Sequence, residues 1–133
     1  MINEPYEIRV FLEDTDAGGI VYFANYMKYM ERARTMVLHD KGIDHAQLIA
    51  EHKIMLVMRK CTVDYYGPAR FGDIVSIYTE ITEITGARLK IKQSIVMDGQ
   101  VLVKADIVLA CINLTERKPV RIPSVIVNSL LSE

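Results

Sequence analysis

Asp14 and Asp16, separated by one threonine and followed by Gly18-Gly19, stand just ahead of the longest helical stretch in the sequence. That placement can do chemistry. A helix N-terminus carries unpaired backbone N–H groups and a partial positive charge. A carbonyl held there would have its developing oxyanion stabilised while a nearby carboxylate attacks it or activates water. The same aspartates also suit plain loop chemistry, as Asx turns or caps, and spacing leaves both readings open. A calcium loop beginning at Asp14 fits poorly, because its fifth position is Gly18 and its twelfth is Asn25 rather than Glu. His39, His45 and His52 fall six and seven residues apart and do not align on one helix face, so they read as surface or locally satisfied side chains. No G-x-S-x-G elbow, phosphate loop or His-Glu-x-x-His is present.

The elements that must position these residues follow from periodicity. Tyr6 to Leu12 alternates weakly and predicts a first strand; the acids and paired glycines from Glu13 to Gly19 predict a loop. From about Ala24 to Lys41 the period becomes 3.6. Tyr26, Tyr29, Met30, Ala33, Met36 and Val37 form the apolar stripe, while Lys28, Glu31, Arg32, Thr35 and His39 fall on the polar side. Gly42 suits the left-handed C-terminal cap, and Asp44 suits the N-cap of a short helix to about Glu51. Strands are predicted over Ile54–Tyr66, Ile74–Thr85, Arg88–Met97 and Val101–Leu114, with Asp98-Gly99 as a hairpin turn and Ser124 capping a terminal helix to Leu131. Tyr65, Tyr66 and the methionines read as core. One long helix with four or five mostly antiparallel strands is α+β, and the economical arrangement is a five-stranded antiparallel sheet curled around that helix.

The 133 residues fit a single domain, 1–133, and 50% apolar with 25% charged residues is a globular composition. A net charge of −1 lacks the broad positive field of a nucleic-acid binder. No apolar run approaches the roughly 18 residues of a membrane span, and Met1 to Pro5 does not read as a secretory signal. Cys61 and Cys111 lie far apart without a Cys-x-x-Cys pattern and read as reduced thiols. A cytoplasmic protein is therefore expected. Its strands carry more apolar residues than one helix can cover, so a homo-oligomer is expected too.

The run Asp14-Thr15-Asp16-Ala17-Gly18-Gly19-Ile20-Val21-Tyr22, with Arg9-Val10 upstream, resembles the active-site signature of 4-hydroxybenzoyl-CoA-type hotdog thioesterases, and more closely the YbgC-type acyl-CoA thioesterases. The resemblance continues through Tyr26 to Arg34, Arg59-Lys60, Val63 to Tyr66 and Pro68 to Arg70. It implies a hotdog fold, dimers that commonly pair into tetramers, and hydrolysis of an acyl-CoA substrate without metal or cofactor. It also implies that Asp16 is the catalytic carboxylate, as nucleophile or as base toward water, with the Phe23 backbone N–H as oxyanion donor. Many YbgC-type members carry His where this chain has Phe23 and Tyr where it has Leu12, which makes the expected pocket more apolar and favours longer or aromatic acyl groups. Phosphates of CoA need basic partners. Arg88 and Lys90, with Lys92, share a strand face, and Arg59, Lys60 and Arg70 are further candidates; a solvated strand face with lysines guarding an edge explains them equally well. Glu31, Arg32 and Arg34 match the family motif and also suit helix-surface salt bridges. The reading from a different class is an acyl-CoA or acyl-carrier-binding module of the same fold without turnover. A hotdog dehydratase would require a His–acid pair that this loop lacks.

Overall fold

A computed structural model describes residues 4–131. Its strands form one antiparallel sheet in the order β1-β3-β4-β5-β2, built from β1 (Tyr6–Arg9), β2 (Ile54–Tyr65), β3 (Ile74–Thr85), β4 (Arg88–Met97) and β5 (Gln100–Asn113). A two-residue β6 (Lys118–Pro119), not foreseen in the sequence, pairs with β5. The inner face carries the alternating apolar set, with Val75, Ile77 and Thr79 of β3 buried beside Leu89, Ile91, Gln93 and Ile95 of β4 and Val103, Ala105, Ile107 and Leu109 of β5.

Helix α1 (Asn25–Asp40) packs against β1 and β3, burying Tyr26, Tyr29, Met30, Ala33, Val37 and Leu38. It stops where the sequence provides for it. The Gly42 N–H donates to the His39 carbonyl at 2.9 Å and the Ile43 N–H to the Leu38 carbonyl at 2.9 Å, with Gly42 at φ +86°. This is a Schellman cap, sealed by contact-forming positions Leu38 and Ile43, both buried. Asp44 caps α2 (His45–Gln47) by accepting from the Ala46 N–H at 2.9 Å, and the chain continues in a wider turn over Leu48–His52. Helix α3 (Ser124–Leu131) buries Ile126 and Leu130.

Three expectations need correction. The first strand ends at Arg9, not Leu12, because the Asp14 carboxylate accepts from the Phe11 N–H at 3.0 Å and winds Leu12–Asp14 into a 3₁₀ turn. Tyr65, Tyr66, Met36, Met55 and Met58 are exposed rather than core. Most of these lie on or just past β2, the outer strand of the sheet, along whose free edge no other strand pairs among the described residues. On α1, Arg34 is buried in place of Met36, so it is not part of a surface salt bridge.

Candidate active site

The loop ahead of α1 is a small ladder folded back on itself. The Tyr22 N–H donates to the Asp14 carbonyl at 3.0 Å, Thr15 bridges Val21, and the Asp16 N–H donates to the Ile20 carbonyl at 2.9 Å. Asp16 thus stands at the tip of the turn and Phe23 just past its base. Gly19, at φ +79°, makes the reversal possible without strain. The Asp16 side chain is exposed, and one carboxylate oxygen accepts from the Gly18 N–H at 2.8 Å. The Asx turn foreseen for this residue therefore exists, and it aims the carboxylate rather than burying it. A Cβ on Gly18 would stand 3.2 Å from that same oxygen, so the sequence needs glycine here for the carboxylate to keep its pose.

The loop is laced to the helix start. Asn25 Nδ2 donates to the Asp14 carbonyl at 2.7 Å. The Val21 N–H donates to the Ala69 carbonyl at 2.9 Å, while the Ala69 N–H donates to the Tyr26 hydroxyl at 2.9 Å. Ala24, at the N-cap, has no side chain with which to satisfy the first turn. Among the described residues nothing accepts from the backbone N–H of Phe23 or Ala24, so the positive end of the helix keeps free donors on the side of the Asp16 loop. Beneath it Tyr29 is buried with a hydroxyl that has no hydrogen-bond partner; burial first, and then the nearby Asp14 carboxylate, hold its proton well above the ordinary tyrosine range.

Around this loop Phe11, Leu12, Tyr22, Phe23, Tyr65 and Phe71 are all exposed, an apolar collar open to one side. The Phe23 ring lies 4.9 Å from that of Tyr22 and meets Tyr65 edge-on at 6.0 Å. From there a seam runs between α1 and the inner face of β2. Met27 Sδ lies 4.0 Å from Cys61 Sγ, and Val63 and Met58 flank that contact on the same face of β2.

The basic candidates divide. Lys90 and Lys60 sit on either side of Val108, two strands apart on the outer face, about 10 Å at the usual strand spacing. Lys90 is paired with Glu83 at 3.2 Å, and hydrogen bonding from Thr85, then from Lys90, lowers the Glu83 carboxyl. Arg88 pairs with Ala110 while Tyr65, at the site's end of β2, pairs with Val103. That difference of seven residues along β5 is about 24 Å of strand, so Arg88 and Lys90 do not converge on Asp16 within one chain. Arg59 occupies the bulge in β2. Arg70 is brought beside the Asp16 loop, bridging Ile20 through its backbone. A concavity of about 410 Å³ lies elsewhere, over Tyr78, Glu80, Lys92, Ser94, Lys104 and Asp106 on β3–β5. Among the described residues no three His, Cys, Asp or Glu side chains cluster as a metal site, and no helix is long and apolar enough to cross a membrane. Cys61 and Cys111 are free thiols, both pushed up by burial.

The Thioesterase-like superfamily profile matches residues 10–130. The chain belongs to that family. Among curated relatives of this thioesterase-like chain, the acyl-CoA thioester hydrolase YbgC of Escherichia coli O6:H1 is 42% identical over 123 residues, covering 92% of this chain and 91% of that one. The acyl-CoA thioesterase YbgC of Haemophilus influenzae is 36% identical over 118 residues, 89% of this chain and 87% of that protein. Among solved structures, a probable thioesterase from Bartonella henselae superposes with a TM-score of 0.85 at 33% identity, covering 90% of this chain and 98% of that one. The hotdog architecture expected of the sheet and helix is thereby established for this thioesterase-like chain.

Proposed function

We propose that this chain hydrolyses the thioester of a small or medium acyl-CoA to free acid and CoA, with Asp16 as the catalytic carboxylate and the Phe23 N–H as oxyanion donor. One observation carries the reading: an exposed carboxylate, aimed by the Gly18 N–H, sits in a loop laced to a helix start whose first N–H groups have no acceptor. The thioester carbonyl lies against the Phe23 N–H with the acyl group directed along the seam between α1 and β2. In the water route, Asp16 takes a proton from water as its oxygen adds to the carbonyl carbon. The negative charge passes to the carbonyl oxygen and is held by the N–H donors. Collapse expels the CoA thiolate, which takes a proton, leaving the free acid. In the direct route Asp16 itself adds and the C–S bond breaks, so that CoA leaves as thiolate and takes a proton; water then cleaves the resulting acyl anhydride to the free acid and restores the Asp16 carboxylate.

The site is completed by a second copy. The twelve-residue β2 has a free edge beside the exposed Met55, Met58 and Tyr65, and an antiparallel copy laid along it covers the open side of the collar. Pairing of this kind turns one β2 end for end relative to the other. Arg59, Lys60, Arg88 and Lys90 of one chain are then directed toward the nucleotide phosphates of substrate bound at the other. Two such dimers assemble as a tetramer, in a cytoplasmic setting that suits the free thiols.

Thiol release from a panel of acyl-CoAs tests the reading. Asp16→Asn is expected to lower turnover by a factor on the order of 10² to 10⁴ with the fold intact. Undiminished turnover in that variant removes Asp16 from the chemistry. Tight acyl-CoA binding without turnover in the unaltered protein supports the binding-module alternative instead.

A further inference from the structure

Among the described residues Arg34 is a buried cation with no ion-pair partner within 4.0 Å. Its side chain is 9% exposed, and its Nη1 donates to the Gln93 Oε1 at 3.4 Å. The Gln93 amide nitrogen is fully committed, donating to the Met30 carbonyl and to Thr79 Oγ1, both at 2.9 Å, which fixes the Gln93 oxygen toward Arg34. A guanidinium has five N–H donors, and one long bond to a neutral amide does not neutralise it. Among the described residues the only ion pair within 4.0 Å is Lys90–Glu83, so none of their carboxylates pairs with Arg34. Burial disfavours the charge, with Glu31 and then Cys61 opposing that effect from nearby. A buried charge left in this condition is costly, and an acyl-CoA ligand would leave it uncompensated whenever the site is empty.

A carboxylate of the right charge, Glu31, stands one turn away on the same helix. Met27, Glu31 and Arg34 follow the i, i+4, i+7 spacing and share one face of α1. The Met27–Cys61 contact directs that face toward β2, the side on which the sheet is open. Glu31 is exposed there and accepts only from Thr35 Oγ1, at 3.1 Å. One face thus carries both halves of a complementary pair, three residues apart in the helix, yet here Glu31 is turned to Thr35 and no Glu31–Arg34 ion pair is formed within the chain. Two antiparallel α1 helices related by a two-fold axis between these positions place 31 opposite 34, twice. We infer that Arg34 takes its counterion from Glu31 of a second copy of this chain, the two reciprocal pairs clamping the two α1 helices side by side. This rests on the two-copy site proposed above and assigns it a specific electrostatic contact. Because each helix start carries a site's N–H donors, the clamp sets the spacing of the two sites.

Sedimentation equilibrium on Glu31→Gln, Arg34→Gln and their equimolar mixture tests it. Each variant alone is expected to dissociate at concentrations about 30-fold or more above the unaltered protein. Neither variant chain contains both members of the pair, yet the mixed dimer retains one intact pair across its interface. The mixture should therefore associate more tightly than either variant alone, and labelled subunits should favour the mixed dimer over its statistical share. Statistical mixing, or Glu31→Gln dimers as tight as the unaltered ones, overturns the inference; Glu31 is exposed, so its variant folds even if Arg34→Gln does not, and the uncharged Arg34→Met, which suits a buried place, then replaces the latter. A strict monomer overturns both this pairing and the two-copy site, whereas tight dimers with statistical mixing overturn the pairing alone.

Discussion

The Tyr65 hydroxyl donates to the Phe23 carbonyl at 3.4 Å while the two rings meet edge-on, so the end of β2 holds the start of α1 in place. Removing only the hydroxyl separates the two contacts. Tyr65→Phe is expected to lower kcat by about 5-fold or less, the worth of one hydrogen bond near 1 kcal/mol. Tyr65→Ala, which loses the ring as well, is expected to cost more. Equal kcat in all three proteins would show that β2 does not steady the oxyanion donor.

Gly18→Ala places a methyl group 3.2 Å from the Asp16 oxygen that the Gly18 N–H holds. The loop is exposed, so the melting temperature is expected to move little while kcat falls. A variant with unaltered kcat and lowered Tm reverses this assignment.

Gln93 gathers Met30, Thr79 and Arg34 into one buried polar cluster. Gln93→Leu keeps much of the volume but leaves these groups unsatisfied, at a cost of about 2–3 kcal/mol. Urea unfolding measures it, and a change below 1 kcal/mol would mean that water or relaxation replaces the amide.

Burial raises the phenol proton affinities of Tyr26 and Tyr29 above the ordinary value of 10.0. Below that value both folded and unfolded chains hold these protons, and stability does not depend on them. Above it the unfolded chain releases them first, so it binds fewer protons and stability falls as pH rises, by up to about 1.4 kcal/mol per pH unit for each tyrosine. Denaturant midpoints between pH 9 and 11 should decline, and the Tyr26→Phe/Tyr29→Phe double variant should decline less steeply.

Lys60→Ala and Arg59→Ala are expected to raise KM for acyl-CoA and to weaken its salt dependence, while leaving KM for an acyl-pantetheine, which lacks the nucleotide, unchanged. Equal effects on both substrates would place these residues away from the phosphates.

What the sequence could and could not reveal divides by range. Ile74–Thr85 was legible from its two-residue alternation, and the end of α1 from Gly42, because both depend on neighbours in the chain. The hotdog fold and the Asp16 loop were legible as a resemblance over fixed spacings, and the loop's Asx turn as local chemistry. Arg34 was not legible as buried, because its place depends on Gln93, 59 residues away. Nor was the exposure of Tyr65, Met55 and Met58, since strand composition reports a surface that must be covered without naming what covers it. Leu12 left the first strand because one carboxylate, Asp14, outcompeted a weak alternation.

The register shift between Met58 and Lys60 interrupts the one long unprotected margin of the sheet, while the opposite margin, β1, offers only four residues. A flat, uniform margin would accept any extended peptide at any offset and go on recruiting more. With a kink near its middle, this one suits a mate bearing the matching kink in reversed orientation, and the pairing proposed above would consume both long margins at once. In the pairing proposed above, edge-to-edge growth of the sheet would stop at two chains, and the single inserted arginine would guard the molecule against fibre formation.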